Sequence, residues 1–113
     1  MKKQIQILIA AASLVGLFAT QASFAAGNIA AGAEKSKACE ACHGAGGNAP
    51  TTPDFPRLAG QHADYLDKAL RDYKSGARKN AIMASQVEKL SRQDLQDLAA
   101  YFASQSGSLT TKR

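Results

Sequence analysis

The sequence predicts an all-α fold, and three observations carry that expectation. Tyr65, Leu66, Ala69, Leu70 and Tyr73 recur at helical spacing between Ala63 and Lys74 and form one apolar face. Ser91-Arg92-Gln93-Asp94 has the pattern of a capping box, with Asp94 in place of the longer Glu, and opens a second amphipathic segment. No alternating strand pattern, internal repeat or heptad array interrupts these segments.

The N-terminus reads as a leader over residues 1–25. Met1-Lys2-Lys3 is a short basic start, and Ile5 to Phe18 is a nearly continuous apolar run of 14 residues. Ala22-Ser23-Phe24-Ala25 then places small residues at Ser23 and Ala25, which suits cleavage after Ala25. A membrane anchor needs about 20 apolar residues, so a signal peptide fits better than an uncleaved helix. The expectation is an exported, periplasmic protein whose mature chain does not insert into a membrane.

Cleavage leaves 88 of the 113 residues, one small domain with a thin core. Chains of this size commonly lean on a staple, a metal or a cofactor. Without Lys2 and Lys3 the chain keeps 12 basic and 9 acidic residues, a net charge of +3. That mild excess, with no run of like charges and no Trp, is not a nucleic-acid footprint.

Within the mature part, Asn28 is placed to cap a helix running from Ile29 through Gly32 and Ala33 toward Cys39. Residues 44–56 hold three glycines and three prolines and form a loop long enough to wrap something. The 63–74 helix closes at Gly76. Ala77 to Met83 reads as a polar connector ending in Ile82 and Met83, followed by a short helical turn over residues 84–89. Ser91 starts the last helix, with Leu90 and Leu95 as a hydrophobic staple and Leu95, Leu98, Ala99 and Phe102 as its inner stripe. The domain is expected to span residues 26–104, with 105–113 a flexible tail.

The two cysteines lie together in Cys39-Glu40-Ala41-Cys42-His43. C-x-x-C-H is the attachment signature of c-type haem. Each thiol forms a thioether with one vinyl group, and the adjacent imidazole faces the iron as proximal ligand. Three other uses are weaker. A zinc site needs four ligands, and beyond this motif the chain offers only a lone His62. A thioredoxin-type motif follows a strand, and none is predicted. A disulfide across two residues constrains little of the unfolded chain and gives His43 no role.

A haem iron held by His43 takes a second ligand or keeps an open position. Once the leader is removed Met83 is the sole methionine, and it lies between helices. It is the candidate axial ligand, because His/Met pairs are usual in cytochromes c. A core-filling methionine, His62 as ligand and an open site stand as alternatives.

These residues carry a family resemblance. The chain is similar to the class I cytochromes c of bacteria, within the group of cytochrome c4 and cytochrome c553. The similarity rests on the attachment motif with Gly44, on Pro56-Arg57-Leu58-Ala59-Gly60-Gln61, on residues 76–83, on Leu90-Ser91 and on Asp97-Leu98-Ala99-Ala100-Tyr101-Phe102. It implies a small class I cytochrome c fold, about four helices wrapped around one covalently attached haem. It implies that the Pro56 carbonyl accepts a hydrogen bond from His43, that Leu58 packs on the haem face, and that Gly32 meets Tyr101 where the first and last helices cross. Arg57, Arg78, Lys79 and Asn80 are candidates for propionate or partner contacts; solvated surface groups are the plain alternative.

The expected function is a soluble periplasmic electron carrier, a monomer that docks transiently with redox protein partners. A haem-based sensor and a subunit of a larger respiratory complex are the alternatives. Enzymatic catalysis is not expected, since the chain shows no acid/base constellation and two histidines.

Overall fold

The computed structural model describes residues 27–109, together with Gly16. The leader expected over residues 1–25, Gly16 apart, and the last four residues lie outside the described residues. The elements are α1 (Ile29–Lys35), α2 (Lys37–His43), a 3-10 turn (Ala45–Gly47), α3 (Ala63–Ser75), α4 (Ala81–Val87) and α5 (Arg92–Ser104). Among the described residues there is no strand.

Among the described residues there are five α-helices where about four were expected, because the first is broken at Ser36. Ser36 is 1% exposed; its Oγ lies 2.8 Å from the Ala33 carbonyl oxygen and 3.1 Å from Glu40 Oε1. A serine hydroxyl bonded back to the preceding turn bends a helix. The break re-aims α2, which carries the cysteines, relative to α1.

α1 packs along α5. Gly32 makes the approach possible: a Cβ there would lie 2.1 Å from the Asp97 carbonyl oxygen and 2.7 Å from Tyr101 Cβ. The expected crossing of Gly32 and Tyr101 is therefore present. Polar bonds lock the same interface. The Asp97 side chain, 3% exposed, accepts from the Asn28 N–H (2.8 Å), from Lys35 Nζ (2.6 Å) and from Gln93 Nε2 (2.8 Å). Lys35 also reaches Asp94 at 2.7 Å.

α3 packs on the other side of α5, where Leu66, Leu98, Ala99 and Phe102 form the core. The inner stripe expected for α5 is buried in full. The capping box is formed in both directions: Asp94 N–H donates to Ser91 Oγ at 3.1 Å and Ser91 N–H to Asp94 Oδ2 at 2.9 Å. The stripe on α3 is covered only in part, with Leu66 buried, Ala69, Leu70 and Tyr73 half-buried, and Tyr65 50% exposed.

α4 differs from expectation. It begins at Ala81 rather than Ala84, because Asn80 is an N-cap: its Oδ1 accepts from the Met83 N–H at 3.0 Å. Met83 thus sits in the first turn of a helix, not at the end of a connector. Beyond α5, residues 105–109 lie against the loop that follows α2. Gly107 lies against Ala59 and Asn48, and Gln105 Nε2 donates to the Tyr101 carbonyl at 3.3 Å.

Candidate functional site

α2 brings Cys39, Cys42 and His43 onto its last turns, the two cysteines three residues apart on one face. The thiols are not joined to each other, and both are half-buried. Burial, then the neighbouring Glu40 carboxylate, pushes the Cys39 thiol above its ordinary pKa.

His43 is 6% exposed, and its Nδ1 lies 2.7 Å from the Pro56 carbonyl oxygen. A carbonyl only accepts, so the proton of the neutral ring sits on Nδ1 and the lone pair sits on Nε2. That arrangement orients a histidine ligand and fixes its tautomer. The Phe55 ring stands 6.2 Å from the imidazole, tilted by 57°.

The loop reaches His43 because the chain reverses at once after α2. Gly44 has φ 82°, and a Cβ there would lie 2.1 Å from the Ala49 carbonyl oxygen. Only glycine takes that conformation without strain. The returning arm of the loop is then tied down. Thr51 N–H donates to the Cys42 carbonyl at 3.0 Å, and Leu58 N–H donates to the Gly47 carbonyl at 2.8 Å.

The other candidate residues lie in the loop, on α4 with its cap, and at the N-cap of α3. Leu58 is half-buried, packed against the core beside Cys39, Leu70 and Leu90. Arg57 is exposed and gives its guanidinium to the Asn48 carbonyl in the same loop. Asn80 is exposed and spends its carbonyl oxygen on the cap of α4, while Met83 is half-buried on that helix. No hydrogen bond among the described residues joins α4 to α2. His62 is exposed at the N-cap of α3. Among the described residues no three His, Cys, Asp or Glu side chains cluster to hold a metal ion. A cleft of about 670 Å³ lies along the loop, lined by Phe55, Pro56, Arg57 and Leu109 among others, but by none of Cys39, Cys42, His43 and Met83.

Phe55 is a part of the site that the sequence reading does not name; one aromatic among prolines carries little signal. Gly44, which belongs to the motif, is the residue that lets the loop turn back.

The donor set fits a c-type haem: two unpaired thiols, an imidazole whose Nε2 is left for a metal, Phe55 beside that imidazole, and an apolar core cluster against which Cys39 and Leu58 pack. The comparisons agree. The family model for cytochrome c matches residues 29–106, and the chain belongs to the cytochrome c family. It is 47% identical over 109 residues to cytochrome c4 of Pseudomonas aeruginosa, covering 96% of this chain and 51% of that one. It is 42% identical over 83 residues to cytochrome c-554(548) of Halomonas halodenitrificans, covering 71% of this chain and 99% of that one. The crystal structure of reduced recombinant cytochrome c4 from Pseudomonas stutzeri superposes with a TM-score of 0.69 at 47% identity, covering 74% of this chain and 48% of that one. The chain spans about half the length of the cytochrome c4 relatives it matches. The fold is that of a class I cytochrome c, and membership of the family implies a covalently bound haem c.

Proposed function

We propose that the chain is a one-electron carrier holding a single haem c through Cys39 and Cys42, with His43 and Met83 as axial ligands. The observation that carries this is the His43–Pro56 bond: it orients the imidazole and leaves Nε2 for a metal, next to two unpaired thiols. A bound haem supplies one-electron redox chemistry. The loop after α2 folds back on the attachment helix through the Thr51 N–H and the Cys42 carbonyl, and Cys39 and Leu58 both pack against the core cluster. In this proposal the mature chain works in the periplasm after removal of residues 1–25. It acts as a monomer and docks briefly with redox proteins rather than turning over a substrate. No helix among the described residues is long and apolar enough to cross a membrane, which accords with that setting.

Optical spectra of the exported protein test the proposal. The expected result is a low-spin c-type spectrum, a ferric Fe–S(Met) band lost in Met83→Ala, and no spectral change when carbon monoxide meets the reduced protein. Ready carbon monoxide binding by the wild type would move the chain to the sensor class. Absence of covalent haem would overturn the proposal altogether.

A further inference from the structure

α4 has little burial to hold it in place. Val87 is its one buried residue; Met83 and Ala84 are half-buried; the rest are exposed, Ile82 by 57%. It is also only seven residues long, too short to hold itself together in water. Its N-terminus is satisfied by Asn80. At its C-terminus the Val87 carbonyl accepts from the Leu90 N–H, and a side chain from α3 meets that carbonyl and those of Glu88 and Leu90 just beyond the helix.

That side chain is Lys74, in the last turn of α3. Its Nζ lies 2.8 Å from the Glu88 carbonyl oxygen, 2.5 Å from that of Leu90 and 3.4 Å from that of Val87. An ammonium has three N–H donors, and here each faces a backbone carbonyl. Other cations on α3 pair with carboxylates one turn away: Lys68 with Asp72 at 2.5 Å and Arg71 with Asp67 at 3.1 Å. Lys74 instead bridges two helices and the turn into α5. A cation at a helix C-terminus also meets the favourable end of the helix dipole.

We propose that Lys74 is a positioning residue for Met83: it clamps the C-terminal end of α4 so that the helix carrying the axial methionine stays seated. The inference rests on the ligation proposed above, and it assigns Lys74 no contact with the haem. Loss of the clamp lets α4 open and exposes the iron to an outside ligand, while α1, α3 and α5 keep the domain folded.

Imidazole, added to the ferric protein, is the probe. The Lys74→Leu variant is expected to bind imidazole about three- to tenfold more tightly than the wild type, the range set by losing charge-assisted bonds that are open to solvent. Lys74→Arg is expected to restore most of the wild-type affinity. Lys68→Leu, which removes the same charge elsewhere on α3, is expected to leave it unchanged. Lys74→Gln, with two donors left, is expected to fall between, and it serves if Lys74→Leu folds poorly. A denaturant titration separates a structural role: equal unfolding shifts in Lys74→Leu and Lys68→Leu with equal imidazole affinities overturn the inference. Unchanged imidazole affinity in Lys74→Leu, with the Fe–S(Met) band present in the wild type, overturns it alone. A wild type without that band overturns the ligation and, with it, this role.

Discussion

The Tyr101 hydroxyl on α5 donates to Glu40 Oε1 at 2.8 Å, so the last helix holds the residue that lies between the two cysteines. The Glu40 carboxylate, with burial, raises the Tyr101 pKa above its ordinary value. Tyr101→Phe keeps the ring and its edge contact with Phe102, whose centroid is 5.1 Å away, but deletes the donor. A hydrogen bond to a charged group contributes about 1.5–3 kcal/mol, so the variant is expected to lose about that much stability, toward the lower end because both partners are half-buried. Glu40→Gln is expected to lose less, since an amide oxygen still accepts. A double-mutant cycle by chemical denaturation checks the pairing; additive losses would mean that the two side chains do not act together.

Gly32→Ala sets helix propensity against packing. Alanine is favoured over glycine in a helix interior by about 1 kcal/mol. The added methyl, however, would meet the Asp97 carbonyl oxygen and Tyr101 Cβ, both backbone-near groups that do not swing aside. Overpacking of this kind costs about 1–3 kcal/mol and sometimes more. The variant is expected to be net destabilised, with a melting temperature lower by several degrees in a domain of this size. A melting temperature at or above wild type would mean that α1 and α5 can move apart without loss.

Acid should weaken the α1–α5 interface through Asp94 and Asp97. Lys35, with the Ser91 N–H, lowers the Asp94 pKa to about 2. Burial pushes Asp97 the other way, but the Asn28 N–H, Lys35 and Gln93 together hold it below its ordinary value. A depressed carboxylate stabilises the fold fully above its unfolded pKa, and that stability is lost as pH falls through the folded one. The window therefore runs from about pH 4 down to about pH 2. Lys35 is raised by the same partners, so its contribution is present below its unfolded pKa and is lost only as pH climbs through a higher one. In unfolding titrations the wild type is expected to lose more stability between pH 5 and pH 2 than Asp94→Asn does. Parallel pH profiles would show that the pair is not coupled to folding.

How much of this was legible in the sequence depended on whether the cause was local. The Asn28 cap, the Ser91–Asp94 capping box and the inner stripe of α5 are short-range patterns, and all three are in the structure. The break at Ser36 has no clear local signal, because serine is tolerated inside helices and its contact with Glu40 is a feature of the folded chain. Asp97 lies outside the inner stripe expected for α5, yet it is buried, because Asn28 and Lys35 supply donors from more than 60 residues away. The attachment motif is a local pattern, and the structure places its cysteines and histidine together on α2. The loop that satisfies His43 was legible only by resemblance, since no local pattern ties Pro56 to a residue 13 positions earlier.

Asn80 offers the sharpest test of a residue read two ways. In the sequence it was a candidate contact for a haem propionate; in the structure its Oδ1 caps α4 on the Met83 N–H. The two roles use different atoms, because a propionate would need the amide N–H group and the cap needs the oxygen. Asp caps a helix about as well as Asn, whereas Ala does not and costs about 0.5–2 kcal/mol. Capping therefore predicts that Asn80→Asp keeps the wild-type unfolding midpoint and Fe–S(Met) band, while Asn80→Ala loses stability and weakens the band. A propionate contact predicts that both variants suffer, with Asn80→Asp the worse because it sets a carboxylate against another. The order of the two variants in a thermal melt followed at the Fe–S(Met) band decides which atom of Asn80 matters.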